Sequence, residues 1–261
     1  MAGRLAGKVA IVTGAGSRGP GLGNGRAAAI LFAREGASVA CVDQVLERAE
    51  ETVAAIESEA NRAIAIAANV TILAECERLV RTTIERFGRL DILHNNVGIG
   101  SPVGILEIDD EEWDRVLAVD LKSMAFAARA AIPGLTASGG GAIVNISSIA
   151  AARAIGGVGS TAYAAAKAGV IGLTVSLAGQ LADRRIRVNC IAPGYVYTPM
   201  VSVEMSADTR EKRRLAALLP DEGTAWDVGW AAVYLASDES RWVTGQVLFV
   251  DGGLTVATRK V

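Results

Sequence analysis

Short runs of β-branched and small apolar residues alternate along this chain with longer amphipathic stretches. The short runs are Val9–Val12, Ser38–Val42, Ala63–Ala67, Leu90–His94, Ala142–Ile146, Arg187–Ile191 and Val247–Val250. They have the length and composition of strands. The longer stretches include Arg26–Arg34, Leu46–Ala60, Leu73–Phe87 and Trp113–Ala131, with Ala and Leu on one side and charges on the other. That is the pattern of helices packed on a core. Repeated alternation of this kind predicts an α/β domain: a doubly wound, seven-stranded parallel sheet flanked by helices. Right-handed crossovers leave little topological choice. No linker or repeat divides the sequence, so a single domain over 1–261 is expected. The weakest pattern covers 201–221, which reads as a helical substrate flap.

Composition narrows the function. Hydrophobic residues make up 51% of the 261, enough for one large core and too many for disorder. The surplus of Ala, Val and Ile suits a sheet buried on both faces. Lys and Arg total 26 against 28 Asp and Glu, so no basic excess is available for nucleic acid. Charges are expected to interrupt each apolar stretch before the ~20 residues of a membrane span. Cys41, Cys76 and Cys190 have no metal or redox spacing and read as core residues in a reducing cytoplasm. The N-terminus lacks a signal-peptide pattern, which fits the same location. His94 is the one histidine, so no His-based metal cluster is expected, although a carboxylate-only magnesium site stays open.

Two regions carry candidate chemistry. The first strand runs into a glycine-rich segment, Thr13–Ala29, that includes Gly14, Ser17, Arg18, Asn24 and Gly25. Such a loop lets backbone N–H groups approach a pyrophosphate at a helix N-terminus, or it is only a turn. Asp43 ends the second strand at roughly the expected ~20 residues from the glycines. Its carboxylate either accepts ribose hydroxyls, favouring NAD over NADP, or caps a turn. Arg18 argues the other way, as a cation for a 2′-phosphate. The second region pairs Ser148, at the end of the fifth strand, with Tyr163 and Lys167 four residues apart in an Ala-rich helix. An ammonium one turn away favours a phenolate and makes tyrosine a usable acid or base. Tyr-x3-Lys is also an ordinary helix pair.

Taken together and in order, these segments resemble the short-chain dehydrogenase/reductase family, with its Rossmann-type fold. The carrying residues are Thr13–Gly25, Asp43, Asn69-Val70, Asn95–Gly98, Ser148, Tyr163, Lys167, Pro193-Gly194 and Val250–Gly253. The resemblance implies that Tyr163 exchanges the proton, Lys167 supports it and binds the nicotinamide ribose, and Ser148 orients the substrate oxygen. It also implies that Asn69 and Val70 border the adenine, Asn95 the adenosine ribose, and Val196 and Thr198 the carboxamide and nearby phosphate. The family usually forms tetramers through the helices of Trp113–Ala131 and Ala162–Ala182 and through the last strand, so a homotetramer or homodimer is expected.

The sequence departs from the family pattern in three places. The glycine loop is longer, so which glycines touch phosphate depends on whether Gly19-Pro20-Gly21 or Gly23-Asn24-Gly25 takes the final position. Val97 replaces an alanine, and His94 before it stands where an apolar residue is usual and reads as a hydrogen-bonded core histidine. Asp120 replaces the family's fourth catalytic residue, an asparagine. Its carboxylate either adds negative charge near Lys167 or replaces a packing hydrogen bond.

The leading expectation is an NAD-dependent oxidoreductase acting on a secondary alcohol or ketone. The alternatives are an NADPH-dependent 3-oxoacyl-thioester reductase and, in a different class, an idle cofactor-binding sensor or scaffold. Pocket walls are expected from Ile99–Val103, Arg153–Gly159, Tyr195 and Val201–Leu219, whose small and apolar residues suggest a non-ionic, moderately hydrophobic substrate.

Overall fold

The computed structural model describes residues 3–154, 161–202 and 205–256. Its first half runs β1 (Val9–Thr13), α1 (Asn24–Arg34), β2 (Ser38–Asp43), α2 (Leu46–Glu57), β3 (Ala63–Ala67), α3 (Leu73–Phe87) and β4 (Ile92–Asn95). Next come α4 (Asp110–Leu117), α5 (Ser123–Ala137), β5 (Gly141–Ile146), α6 (Thr161–Leu181) and β6 (Ile186–Pro193). Helices α7 (Pro199–Ser202), α8 (Ala207–Ala216) and α9 (Ala225–Ala236) then precede β7 (Val247–Val250).

The seven strands form one parallel sheet in the order β3-β2-β1-β4-β5-β6-β7. Side chains alternate across it with period two. Ala10 and Val12 of β1 pack beneath α1 and α9, while Ile11 between them faces the layer of α3, α5 and α6. Both faces are therefore buried, which is why the strands carry few charges. The strand order reverses between β1 and β4. A crevice opens there at the carboxyl ends, where ligands of such sheets bind.

The stretch read as one helix, Trp113–Ala131, is three pieces. Between α4 and α5 lies a π-helical turn, Ala118–Lys122, centred on Asp120. The rod continues across it with one residue too many for α-helical register. One stretch comes near the apolar length of a membrane span, although Lys167 and Asp183 interrupt it. Helical residues Thr161–Arg184 reach a mean hydropathy of 1.3 over a membrane-length window. Here α6 instead lies along the sheet, burying Ala162, Ala166, Val170, Thr174, Ala178 and Leu181. The three cysteines are free and buried, with the Cys41 thiol pushed up to about 12 by desolvation. No group of three or more potential metal ligands occurs among the described residues.

Candidate active site

A cleft of about 810 Å³ runs along the carboxyl edge of the sheet, from the β1–α1 loop past β4 and β5 to the segment after β6. It brings together Gly14, Ser17, Arg18, Asn24, Gly25, Asp43, Asn69, Val70, Ser148, Tyr163, Lys167, Val196 and Thr198. These come from loops spread over the whole chain. Their convergence follows from the parallel topology, which delivers every strand end to one edge.

At the glycine end, Gly14 has φ +63° and reverses the chain after β1. Gly25 is required for a different reason. A Cβ there would lie 2.1 Å from the Gly14 carbonyl oxygen and 2.4 Å from Asn96 Nδ2. Helix α1 begins after Gly23 with no side-chain cap and no acid in its first turn. Its leading N–H groups and positive dipole end therefore remain available to an anion. Asn24 Oδ1 is buried without a partner among the described residues. An uncapped helix start, a glycine cradle and an orphaned amide oxygen fit a dinucleotide pyrophosphate. The glycines on that stretch are Gly23 and Gly25.

Asp43 closes β2, where its Oδ2 accepts from Gly16 N at 3.3 Å and its Oδ1 from Val45 N at 3.1 Å. The carboxylate is thus pinned at the cleft wall with accepting capacity to spare. Arg18 does not join it. Its Nη2 donates to the Gly98 carbonyl at 3.4 Å, on the Lys167 side of the cleft. The cation at the Asp43 corner is Arg48, which the sequence pattern does not mark. A Cβ on Gly16 would lie 2.5 Å from Arg48 Cβ and 2.7 Å from Asp43 Oδ2.

One expected position shifts by a residue. Asn95 is buried and off the cleft, its Nδ2 donating to Asn145 Oδ1 at 2.9 Å and to the Met124 carbonyl. Asn96, on the opposite face of the chain, lines the cleft and donates to the Gly14 carbonyl at 3.0 Å. Successive residues at a strand end point to opposite sides, so a motif quoted as a block does not say which member reaches the ligand.

The catalytic candidates lie at the other end. Lys167 Nζ sits 5.6 Å from the centroid of the Tyr163 ring, one helical turn away. The lysine is 2% exposed. Its ammonium donates to the Ile146 carbonyl at 3.2 Å and lies 3.3 Å from Asp120 Oδ2. Asp120 is fully buried, and its Oδ1 accepts from Ile99 N at 2.8 Å. Desolvation raises the Asp120 pKa above the usual carboxylate range, opposed by Lys167, the Ile99 N–H and Arg18. Asp120 is therefore both a packing partner of the Ile99 loop and a charge beside Lys167. Ser148 Oγ accepts from Ala150 N at 3.1 Å, which leaves its hydroxyl proton to donate into the cleft.

Behind these groups a buried polar chain ties the elements together. Asn145 Nδ2 donates to Thr174 Oγ1 at 3.0 Å, and Ser147 Oγ donates to the Lys167 carbonyl at 2.7 Å. β4, β5 and α6 are thereby held in register at the level of the lysine. His94 belongs to the core, as expected, but it is not hydrogen-bonded. Both ring nitrogens lack a partner among the described residues, and the ring packs edge-on to Phe32 at 5.8 Å. Burial drops its pKa to about 3, so it stays neutral.

Of the expected pocket walls, Ile99, Gly100, Tyr195, Val201 and Arg213 line the cleft, while 155–159 and 203–204 lie outside the described residues. Arg115 and Met200 join them.

A doubly wound parallel sheet with a glycine cradle at one end of its crevice and a Ser–Tyr–Lys cluster at the other defines a dinucleotide-binding oxidoreductase. Comparison with known proteins gives the family. A family profile described as enoyl-(acyl carrier protein) reductase matches residues 21–255. The 3-oxoacyl-(acyl-carrier-protein) reductase FabG of Thermotoga maritima is 38% identical over 97% of this chain and 100% of its own length. A short-chain dehydrogenase/reductase of Burkholderia xenovorans, 41% identical, superposes with a TM-score of 0.94 over 99% of this chain and 100% of its own. A 7α-hydroxysteroid dehydrogenase solved with NADH and 7-oxo glycochenodeoxycholic acid superposes at 0.89, with 32% identity over 98% of this chain and 97% of its own. The chain belongs to the short-chain dehydrogenase/reductase family.

Proposed function

We propose that this protein is an NAD-dependent oxidoreductase that interconverts a secondary alcohol and a ketone. The reading rests above all on one observation: Tyr163, Lys167 and Ser148 open together onto the cleft that the glycine loop closes at its other end. The nicotinamide, when bound, supplies the hydride acceptor or donor.

The chain's own residues manage the oxygen and its proton. Ser148 donates its free hydroxyl proton to the substrate oxygen and fixes its place. Tyr163 takes the proton from the alcohol hydroxyl or returns it to the ketone oxygen. Lys167, buried and positive, stabilises the phenolate during that exchange. Asp43 favours NAD, since its carboxylate accepts ribose hydroxyls and repels a 2′-phosphate. Arg48 is the cation an added phosphate would meet at the same corner. The three free, buried cysteines fit a reducing cytoplasm.

The names of the relatives favour one alternative, reduction of a 3-oxoacyl thioester on the same Ser–Tyr–Lys cluster, a reading that pairs with NADPH through the arginines at the glycine loop. A panel of alcohols and ketones, assayed with NAD and NADP in parallel, separates the two. We expect turnover with NAD that falls by ~100-fold or more in Tyr163→Phe. Preference for NADPH with an acyl thioester would establish the alternative. Cofactor binding without turnover of any substrate would mark an idle sensor or scaffold.

We also propose that the protein is a homodimer or homotetramer. Leu248 and Phe249 on the edge strand β7 and Trp242 beside it are 37%, 38% and 93% exposed, an apolar strip that a second copy would cover. Sedimentation of the intact protein as a monomer would remove this assignment.

A further inference from the structure

Helix α8 of the flap carries four cations, Arg210, Lys212, Arg213 and Arg214. Three have carboxylate partners. Arg210 grips Glu222 at 2.8 and 2.6 Å, Arg214 grips Glu211 at 2.8 and 2.6 Å, and Lys212 meets Asp208 at 2.7 Å. Arg213 has no such ion pair among the described residues. It is nonetheless the member of the four that lines the cleft, where it is only partly exposed. Its desolvation is large enough to hold the guanidinium below its ordinary pKa.

A second contact fixes where this charge acts. The Arg213 guanidinium stacks on Tyr195, with its central carbon 4.2 Å from the ring centroid. Tyr195 follows the carboxyl end of β6, which pairs with β5 beside Ser148. The ring holds the guanidinium in place, and its N–H groups, which make no hydrogen bond among the described residues, are the fork that matches a carboxylate or phosphate in two-point contact. A partly desolvated cation with no ion pair among the described residues is costly to keep. A ligand oxyanion would offset that cost and account for the placement. Arg115, the other arginine of this wall, is already held by Glu112 at 2.7 and 2.8 Å.

We propose that Arg213 is a specificity-determining residue that pairs with a terminal oxyanion, carboxylate or phosphate, on the alcohol or ketone substrate. This rests on the oxidoreductase reading above and departs from the non-ionic substrate that the small and apolar wall residues suggest. The chemical class is an oxo or hydroxy compound with its reacting carbon at one end and an acidic group at the other.

The test uses matched probes on the intact protein: straight-chain 4-oxopentanoate, 5-oxohexanoate and 6-oxoheptanoate, each beside its methyl ester. A second arm uses hydroxyketone phosphates beside the free hydroxyketones. Turnover is followed by NADH absorbance. Binding to the NADH-loaded protein is followed separately by calorimetry. We expect the wild-type protein to prefer one anionic series over its neutral partners by roughly ten- to a hundredfold in kcat/KM. Arg213→Gln should bring that ratio towards one by raising KM for the anion, while Arg213→Lys should retain part of it. The series that responds identifies carboxylate or phosphate. Turnover with equal treatment of anion and neutral partner, or a preference that survives Arg213→Gln, overturns the inference and leaves the oxidoreductase reading intact. Differential binding without turnover does the reverse. Equal binding with no turnover overturns both.

Discussion

At the scale of single residues, the site is a matter of which charges share a small dry volume. Lys167 and Asp120 lie 3.3 Å apart and both are buried. Burial raises the carboxylate's pKa, and the ammonium and the Ile99 N–H work against that rise. Asp120→Asn keeps an oxygen for Ile99 N but removes the negative charge beside Lys167. The ammonium is then less neutralised and, on the proposed mechanism, acts more strongly on the oxygen that exchanges the proton. We expect the rising limb of the pH–rate curve for alcohol oxidation to move to lower pH, by on the order of one unit. An unmoved curve would reduce Asp120 to a packing partner. The family resemblance leaves two roles open for Asp120, a charge near Lys167 or a packing hydrogen bond, and the fold shows it in both. The motif marks Asp120 as a departure, and the fold shows its Oδ1 held by the Ile99 N–H and its Oδ2 facing the lysine.

At the scale of elements, much of the molecule was legible in advance, and for a physical reason. A strand covered on both faces must be apolar, and a helix lying on it must be amphipathic. The runs Val9–Val12 and Ser38–Val42 therefore could hardly be anything but β1 and β2. What escaped were features set by register and by tertiary approach. The π-helical turn at Ala118–Lys122 has no signature in Ala-Val-Asp-Leu-Lys. Asn95 and Asn96 are chemically identical, and only the pleat decides that the second reaches the cleft. Arg48 reads as an ordinary helix charge until α2 is packed against the crevice, and within the expected flap nothing singles out Arg213 until α8 is placed. The Asn95–Asn145–Thr174 chain is also a product of packing. Its last link is testable with an isosteric change. Thr174→Val leaves Asn145 Nδ2 without its acceptor in a buried site, at a cost of ~1–3 kcal/mol. Urea unfolding should register the loss. Turnover should fall as well, because α6 carries Lys167 on the same side.

At the scale of the whole molecule, the central sheet contains a histidine whose ring makes no hydrogen bond among the described residues. His94 is neutral in the fold, with a pKa near 3 against 6.5 for the free side chain. The unfolded chain therefore binds a proton that the folded one refuses. Stability contributed by the neutral imidazole is full above pH 6.5 and is lost progressively as pH falls from 6.5 towards 3. The slope over that window is about 1.4 kcal/mol per pH unit from this group. Replacing it by an apolar residue of similar volume, His94→Leu, should flatten the decline between pH 6.5 and 4. It should also raise stability at pH 7 by ~1 kcal/mol, since two unpartnered nitrogens disappear. Denaturant midpoints measured at pH 7, 5.5 and 4.5 for both proteins decide the matter. Parallel declines would mean that His94 is not the source of the acid sensitivity.

The π turn between α4 and α5 carries one surplus residue in an otherwise regular rod. Trimming a single position from Ala118–Lys122 would give a smoother cylinder with better hydrogen bonds. It would also rotate everything on one side of the cut by ~100° relative to the other. Asp120 could not then meet Ile99 and Lys167 together, so a sturdier shortened rod would come with a silent enzyme. Melting temperature and turnover should move in opposite directions in that deletion, as happens when a local irregularity is retained for its use rather than its strength.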